Sequence, residues 1–527
     1  MGISSSRKLT GAAIIVMTAT VFSRISGFLR EALITNKLGT DKIGDAYNAA
    51  FLLPDLMFQL LLGGALAAAL IPILSGYIEK NEEEEGWKVL GTFINITFIA
   101  IFIFCTMGIF FAPKIVPLID KKFYLKDLET QILAVKLTRI LFPSVAFLML
   151  AGICNGVLNS YQKFASAAYG PVLYNLGGVL SLFLLGSESA QGAERVAYGV
   201  LVSAVIYFIF QFTVTYSKLK YFRFKIYLKH PGFIRMFKLA IPSLISSSIT
   251  QINLIVSSSF TTYAAAGSLT LFNTANRTWQ LPLGIFAQSM GVALLPTMSA
   301  RLAVGDLDDY KNILNKGLKT VLFLAMPSAV AFIVLGESIV RSLFKFALFT
   351  EEDVHVTGYI LMFFSLALVA QSAQAILGRA FFAANDTKTP LLIGLSTLVV
   401  NYAFSFLLYE PMGVAGMALA NSISSVIYSI LLIVILNRKM GGLYLKKLIT
   451  FMVKVTASAL IMGIVLYPVN MILPVDINSK ISQVINLGIE VAVGVAIYFG
   501  VTMLLRLEEA VATCNGILNR LKRLATR

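Results

Sequence analysis

Apolar runs follow one another along almost the whole chain, separated by short polar connections. A run of 18 or more such residues spans a bilayer as a helix. About fourteen can be read by that length criterion, centred near residues 22, 60, 99, 142, 173, 204, 246, 283, 325, 367, 399, 425, 460 and 493. No connection is long enough for a separate soluble domain. The pattern predicts an all-α polytopic membrane protein.

Two short motifs recur. Ala69-Leu70-Ile71-Pro72-Ile73-Leu74-Ser75 closes the second span and Ala293-Leu294-Leu295-Pro296-Thr297-Met298-Ser299 the eighth. Tyr169-Gly170-Pro171 opens the fifth span and Lys388-Thr389-Pro390 the eleventh. Both offsets are about 220 residues, or six spans, and an even number of spans keeps the orientation, so the halves are expected to be parallel repeats. The chain then divides into an N-lobe (1–217, helices one to six), a basic amphipathic linker (218–234), a C-lobe (235–440, helices seven to twelve), and a C-terminal pair with a basic tail (441–527). Pro54, Gly63 and Gly64 in helix two, and Pro282 and Gly284 in helix eight, are the expected hinge or gate positions, because proline and glycine weaken the helical ladder.

Composition sharpens this reading. The 527 residues are 57% hydrophobic and 13% charged, with net charge +16. The positive charge does not point to nucleic acid, because Lys and Arg concentrate on one side of the spans. That asymmetry fits the positive-inside rule with both termini cytoplasmic. The run from Lys218 to Lys229 interleaves cations with Tyr221, Phe222, Phe224 and Tyr227, a pattern suited to an anionic lipid surface. Cys105, Cys154 and Cys514 show no pairing pattern, so neither a disulfide framework nor a metal site is expected. No nucleotide-binding motif, catalytic histidine or paired carboxylate presents itself, so no enzyme and no cofactor are expected.

The candidate chemistry is a set of ions where a bilayer tolerates them least. Arg24, Arg30 and Glu31 lie on helix one, Asp45 begins helix two, and Arg277 lies on helix eight. A charge near a helix centre costs at least about 2.5–3.5 kcal/mol, so such residues face a cavity or a partner. The two arginines diverge by roughly 120° around their helix. Arg30 has Glu31 or Asp45 as candidate ion-pair partners, and Arg24 has Glu31. Arginine matches phosphate oxygens bidentately, so an anionic cargo such as a pyrophosphate is expected.

Several of these residues carry a family resemblance. Phe22-Ser23-Arg24-Ile25-Ser26-Gly27-Phe28-Leu29-Arg30-Glu31-Ala32, Gly44-Asp45-Ala46-Tyr47, Leu53-Pro54-Asp55-Leu56, Asn276-Arg277, Ala325-Met326-Pro327-Ser328-Ala329 and Asp386-Thr387-Lys388-Thr389-Pro390 resemble the MurJ/MviN family of bacterial lipid II flippases. The resemblance implies fourteen helices in two lobes and alternating access in the bacterial cytoplasmic membrane. It implies a cargo of undecaprenyl diphosphate carrying a peptidoglycan precursor, and so a role in cell-wall biogenesis and cell shape. It also implies that Arg24, Arg30 and Arg277 meet the diphosphate, with Ser23, Glu31, Asp45 and Asn175 as polar neighbours. The last two helices would form a groove for the polyprenyl tail, and a monomer is expected. Phe58-Gln59 stands where the family carries a basic pair. Another polyprenyl-linked glycan, such as an exopolysaccharide or teichoic-acid precursor, therefore stays open as cargo, as does a cation-coupled drug exporter of the same superfamily.

Overall fold

The computed structural model describes residues 18–19, 22–23, 25–60, 70–119, 128–161, 163–238, 240–241, 256, 267–346, 348–384, 386–473, 476 and 479–511. Among them every regular element is helical. In chain order these are α1 (25–37), α2 (Lys42–Leu60), α3 (Ile71–Glu79), α4 (Glu83–Ile119), α5 (Leu128–Ser160), α6 (Phe164–Leu185), α7 (Ala190–Tyr216) and α8 (231–238). They continue with α9 (Ser268–Pro282), α10 (Ser289–Ala303), α11 (Leu307–Phe344), α12 (Glu351–Ala383), α13 (Lys388–Met412), α14 (Val414–Lys439), α15 (Leu445–Ile472) and α16 (Lys480–Leu504).

Ten of these, α4 to α7 and α11 to α16, are long and apolar enough to cross a membrane. The other four expected spans are those near residues 22, 60, 246 and 283. The first is described mainly as α1, and the one near 246 lies almost wholly outside the described residues. Of the second, α2 and α3 are described, and residues 61–69 lie outside the described residues. The eighth is α9 and α10, joined by a π-helical turn over Leu283–Gln288. A count of fourteen fits this arrangement.

The repeat is visible in the element order. Helices α4 to α7 begin at Glu83, Leu128, Phe164 and Ala190, and α11 to α14 begin at Leu307, Glu351, Lys388 and Val414, 223 or 224 residues later. Packing repeats with it. In the first set α5 packs on α4 and α7, and α6 on α7; in the second α12 packs on α11 and α14, and α13 on α14. The chain forms two compact units, residues 1–271 with 346–349, and 272–345 with 350–527.

Each unit buries side chains in the manner of a membrane protein. In the first, Tyr47, Leu137, Leu141, Leu182, Val196 and Val200 form a core among α2, α5, α6 and α7. In the second, α16 shows the principle most plainly. Its buried positions are Gln483, Glu490, Gly494, Tyr498 and Thr502, whereas Ile481, Val484, Ile485, Val491 and Val495 are exposed. On this helix lipid tails can solvate the apolar side chains, and the buried stripe goes to groups that need hydrogen bonds or close backbone approach. Tyr498 Oη accordingly donates to the carbonyl of Phe323 on α11 at 2.7 Å.

The basic segment after α7 is a strap rather than a helix. A 3-10 turn, Leu219–Tyr221, leads into extended backbone. Asn95 Nδ2 on α4 donates to the carbonyls of Arg223 and Lys225, each at 3.1 Å, and Thr92 Oγ1 accepts from the Tyr227 amide. These bonds tie the strap to α4 while Phe224 stands 87% exposed.

Candidate functional site

The candidate residues divide between the two units. Arg24 lies outside the described residues, as do Gly63 and Gly64. Pro54 falls within α2, which continues helical across it to Leu60.

In the first unit, α1 meets α6 through polar and small groups. Asn175 Nδ2 donates to Ser23 Oγ at 3.1 Å and to the Ser23 carbonyl at 3.3 Å. Gly27 lies one turn further along α1, and a Cβ built there would sit 3.8 Å from Asn175 Oδ1. The Ser23 and Asn175 side chains therefore join each other directly. Seven residues after Ser23, Arg30 lies on α1. Its guanidinium carbon is 5.8 Å from the centre of the Tyr174 ring, a cation–π distance. Its Cδ lies 2.9 Å from where a Gly178 Cβ would be. A side chain at 178 would require Arg30 to shift. Glu31, on the adjoining face of α1, is buried at 1% exposure.

Asp45 takes a different part. Its carboxylate, 7% exposed, accepts from the Gly267 amide at 2.7 Å, the Thr270 amide at 2.9 Å and Thr270 Oγ1 at 2.8 Å. Asn48 Nδ2 adds a bond to Thr270 Oγ1 at 3.1 Å. The first turn of a helix presents amides without intrahelical partners and a positive dipole end, and a carboxylate there answers both. Asp45 thus caps the start of α9 from a helix more than 200 residues away. Gly267 makes the approach possible: its φ is +87°, and a Cβ would overlap the Thr40 carbonyl.

In the second unit, Arg277 stands exposed on α9. Its neighbour Asn276 is buried, and Asn276 Oδ1 accepts from Trp279 Nε1 and Gln280 Nε2, both at 3.0 Å. Trp279 stacks on Phe364 of α12 with ring centres 5.8 Å apart. The Asn276 bonds lie within α9, and the Trp279–Phe364 contact is the one of these that ties its rotation to a neighbouring helix. Pro282 ends α9, and Gly284 lies in the π-helical turn that follows. Such a turn inserts a residue into the helical ladder and often marks a bend or a functional segment.

Two further features surround the motifs. Asp386 Oδ2 accepts from Thr389 Oγ1 and Lys439 Nζ, each at 2.6 Å, and Oδ1 accepts from the Thr389 amide at 3.0 Å. The Asp386–Pro390 motif is therefore the clamp that starts α13 and holds the end of α14. Lys454, on α15, donates to the carbonyl of Leu505 at 3.2 Å. Tyr174, Gly178 and Thr270 shape the site but carry no mark in the apolar pattern. Glu490 does carry one, a lone carboxylate within an apolar run.

Two helical units that repeat one packing pattern, with long apolar helices presenting large hydrophobic side chains on their surface, are the architecture of a multi-pass membrane transporter. The chain belongs to the MurJ family: the family model described as "Lipid II flippase MurJ" matches residues 34–481. It is 30% identical over 497 residues to a probable lipid II flippase MurJ of Rhizobium tropici, covering 92% of each chain. It is 27% identical over 453 residues to the lipid II flippase MurJ of Burkholderia cenocepacia, covering 84% of this chain and 87% of that one. A solved structure of lipid II flippase MurJ in an inward closed conformation matches with TM-score 0.78 and 26% identity, over 94% of this chain and 99% of the other. An inward-facing multidrug resistance MATE family transporter of the MOP superfamily shares the fold, at TM-score 0.66 and 16% identity over 82% of this chain. The protein is a multi-pass bacterial membrane transporter and not an enzyme.

Proposed function

We propose that this protein flips lipid II from the cytoplasmic to the outer leaflet by alternating access. The observation that carries the reading is the treatment of the intramembrane arginines within a chain of this family. Arg30 is guided along α6 by Tyr174 and by the space above Gly178, and Arg277 stands exposed on α9, whose Trp279 packs on Phe364 of α12. Guanidinium groups at depth suit the two phosphates of a polyprenyl diphosphate. In this reading Arg24, Arg30 and Arg277 contact the diphosphate, the Ser23–Asn175 pair sets the α1–α6 approach, and Glu31 balances the local positive charge. The π-helical turn after Pro282 acts as the hinge of helix eight, with Gly284 inside it, and Pro54, Gly63 and Gly64 serve helix two. The exposed apolar faces of α15 and α16 carry the polyprenyl tail.

The excess of basic residues on one side of the spans supports cytoplasmic termini. The strap with exposed Phe224 and flanking lysines suits anionic lipid headgroups, and the chain works as a monomer that carries both repeats.

Cells depleted of their own lipid II flippase test the proposal. The unmodified chain should restore growth, and Arg24→Ala and Arg277→Ala should abolish rescue while still accumulating in the membrane. Full rescue by both variants refutes the arginine mechanism. Failure of the unmodified chain to rescue, despite normal accumulation, points instead to another polyprenyl-linked glycan, the cargo class that Phe58-Gln59 favours.

A further inference from the structure

Glu490 is a carboxyl group in the middle of α16, about 15 Å from its first residue at 1.5 Å per residue. It is fully buried, at 0% exposure. Its Oε1 accepts one hydrogen bond, from Asn470 Nδ2 of α15 at 2.8 Å. Its Oε2 is buried with no hydrogen-bond partner among the described residues. The same Asn470 Nδ2 donates to Ser338 Oγ of α11 at 2.6 Å. One amide group therefore joins three helices, with the carboxyl at its end.

The charged groups facing Glu490 are few. From α11 comes Arg341, whose Nη2 is engaged with Glu351 at 3.1 Å and with Glu337 at 3.8 Å. Glu337 itself meets His355 at 2.7 Å. From α15 the facing group is the uncharged Asn470. On α16, Lys480 lies ten residues back and its Nζ donates to the carbonyls of Arg341 and Lys345, each at 2.9 Å. An ionised carboxylate in this position would have one neutral donor and no salt-bridge partner among the described residues. Burying an unpaired charge costs far more than burying a neutral acid whose O–H lacks an acceptor.

We propose that Glu490 is a proton-binding site: its carboxyl is protonated while Asn470 joins it to Ser338, and it releases the proton when α16 separates from α15 and α11. On opening, the O–H bond at Glu490 breaks and the proton passes to water; on closing, a proton is taken up again. The carboxyl is thus a latch on the C-terminal helix pair that responds to proton concentration. Neither this assignment nor its readouts require any cargo, so it stands or falls apart from the flippase reading.

Infrared spectroscopy of the full-length protein in lipid nanodiscs tests it. At neutral pH the wild type should show the carbonyl stretch of a buried protonated carboxyl, and Glu490→Gln should lose that band. Glu490→Asp should shift the band without removing it, which keeps the assignment testable if the glutamine variant fails to accumulate. Loss of only ionised-carboxylate bands in Glu490→Gln overturns the proposal. In the same samples, hydrogen-exchange protection of amides 486–494, corrected for intrinsic exchange, should fall as pH rises. One proton released per opening makes the fall approach about tenfold per pH unit, and Glu490→Gln should be flat. Protection independent of pH in the wild type, or an equal slope in Glu490→Gln, overturns the latch.

Discussion

Replacing Asp45 with alanine separates a structural carboxylate from one that meets cargo. The side chain accepts three hydrogen bonds at 2.7–2.9 Å from Gly267 and Thr270, and it is almost wholly buried. Bonds to a charged group contribute about 1.5–3 kcal/mol each, but the released donors recover partners in part, so the three do not add. Loss of a helix cap alone costs about 0.5–2 kcal/mol. A combined loss of about 3 kcal/mol follows, because two backbone amides and a hydroxyl are left buried together. That corresponds to roughly a hundredfold rise in local opening at the start of α9. Hydrogen exchange followed by mass spectrometry, on purified full-length protein in detergent, reads that opening at residues 267–271. Thr270→Val should reproduce a smaller part of the rise, since it keeps both amide bonds, and the double variant should fall well short of the sum. Reduced accumulation should accompany loss of rescue in flippase-depleted cells. The capping argument is refuted if Asp45→Ala accumulates normally and keeps wild-type protection at 267–271 while rescue is lost; Asp45 would then contact cargo.

Gly178→Leu should push Arg30 off its path, because even a Cβ would sit 2.9 Å from Arg30 Cδ; rescue should be lost with near-normal accumulation, and Gly178→Ala should fall between. Arg30→Lys should be weak in rescue as well, since lysine keeps the charge without the planar fork that pairs with two phosphate oxygens, and native mass spectrometry should find less co-purifying polyprenyl diphosphate. Asn276→Leu should blunt the Trp279 and Gln280 bonds and loosen α9 by about 1–3 kcal/mol, read as faster exchange across residues 268–282. Asp386 predicts a pH effect. Burial raises its pKa, but the bonds from Lys439 and Thr389 prevail and lower it from 3.8 to about 2. A carboxyl lowered on folding contributes stability above its unfolded value, so that contribution should fade as pH drops from about 4 toward 2. Asp386→Asn should remove this acid sensitivity from exchange at the start of α13.

Much of the architecture can be read from the chain because a bilayer imposes length directly. Each long apolar run has one helical solution, and the Ala-Leu-x-Pro motifs mark the repeat that α4–α7 and α11–α14 display. The Pro282–Gly284 region is similarly legible, since those residue types weaken a helix wherever they occur. Partners are a different matter. Asp45 reads locally as an acid at the head of a helix, and nothing within the run Lys42–Leu60 announces a donor at Thr270. Arg30 reads as an unexplained cation, but the groups that guide it, Tyr174 and Gly178, are an ordinary aromatic and a glycine on α6.

Depth of charge is therefore a sound pointer to special positions and a poor guide to what each does. Asp45, Arg277 and Glu490 are all ionisable residues at the start of, or within, expected spans. One is satisfied by a remote helix N-terminus and one stands exposed beside a locked asparagine. One is enclosed with a single amide donor. Apolar periodicity contains no variable that separates these outcomes, because on a helix with an apolar outer face the buried face can be chosen by hydrogen bonding and backbone approach. On α16 that choice places Gln483, Glu490, Tyr498 and Thr502 inward along one stripe. Reading polar positions by helical spacing, rather than apolar ones, is the step that would have brought Glu490 forward from the sequence: its seven- and eight-residue separations from Gln483 and Tyr498 place all three on one face.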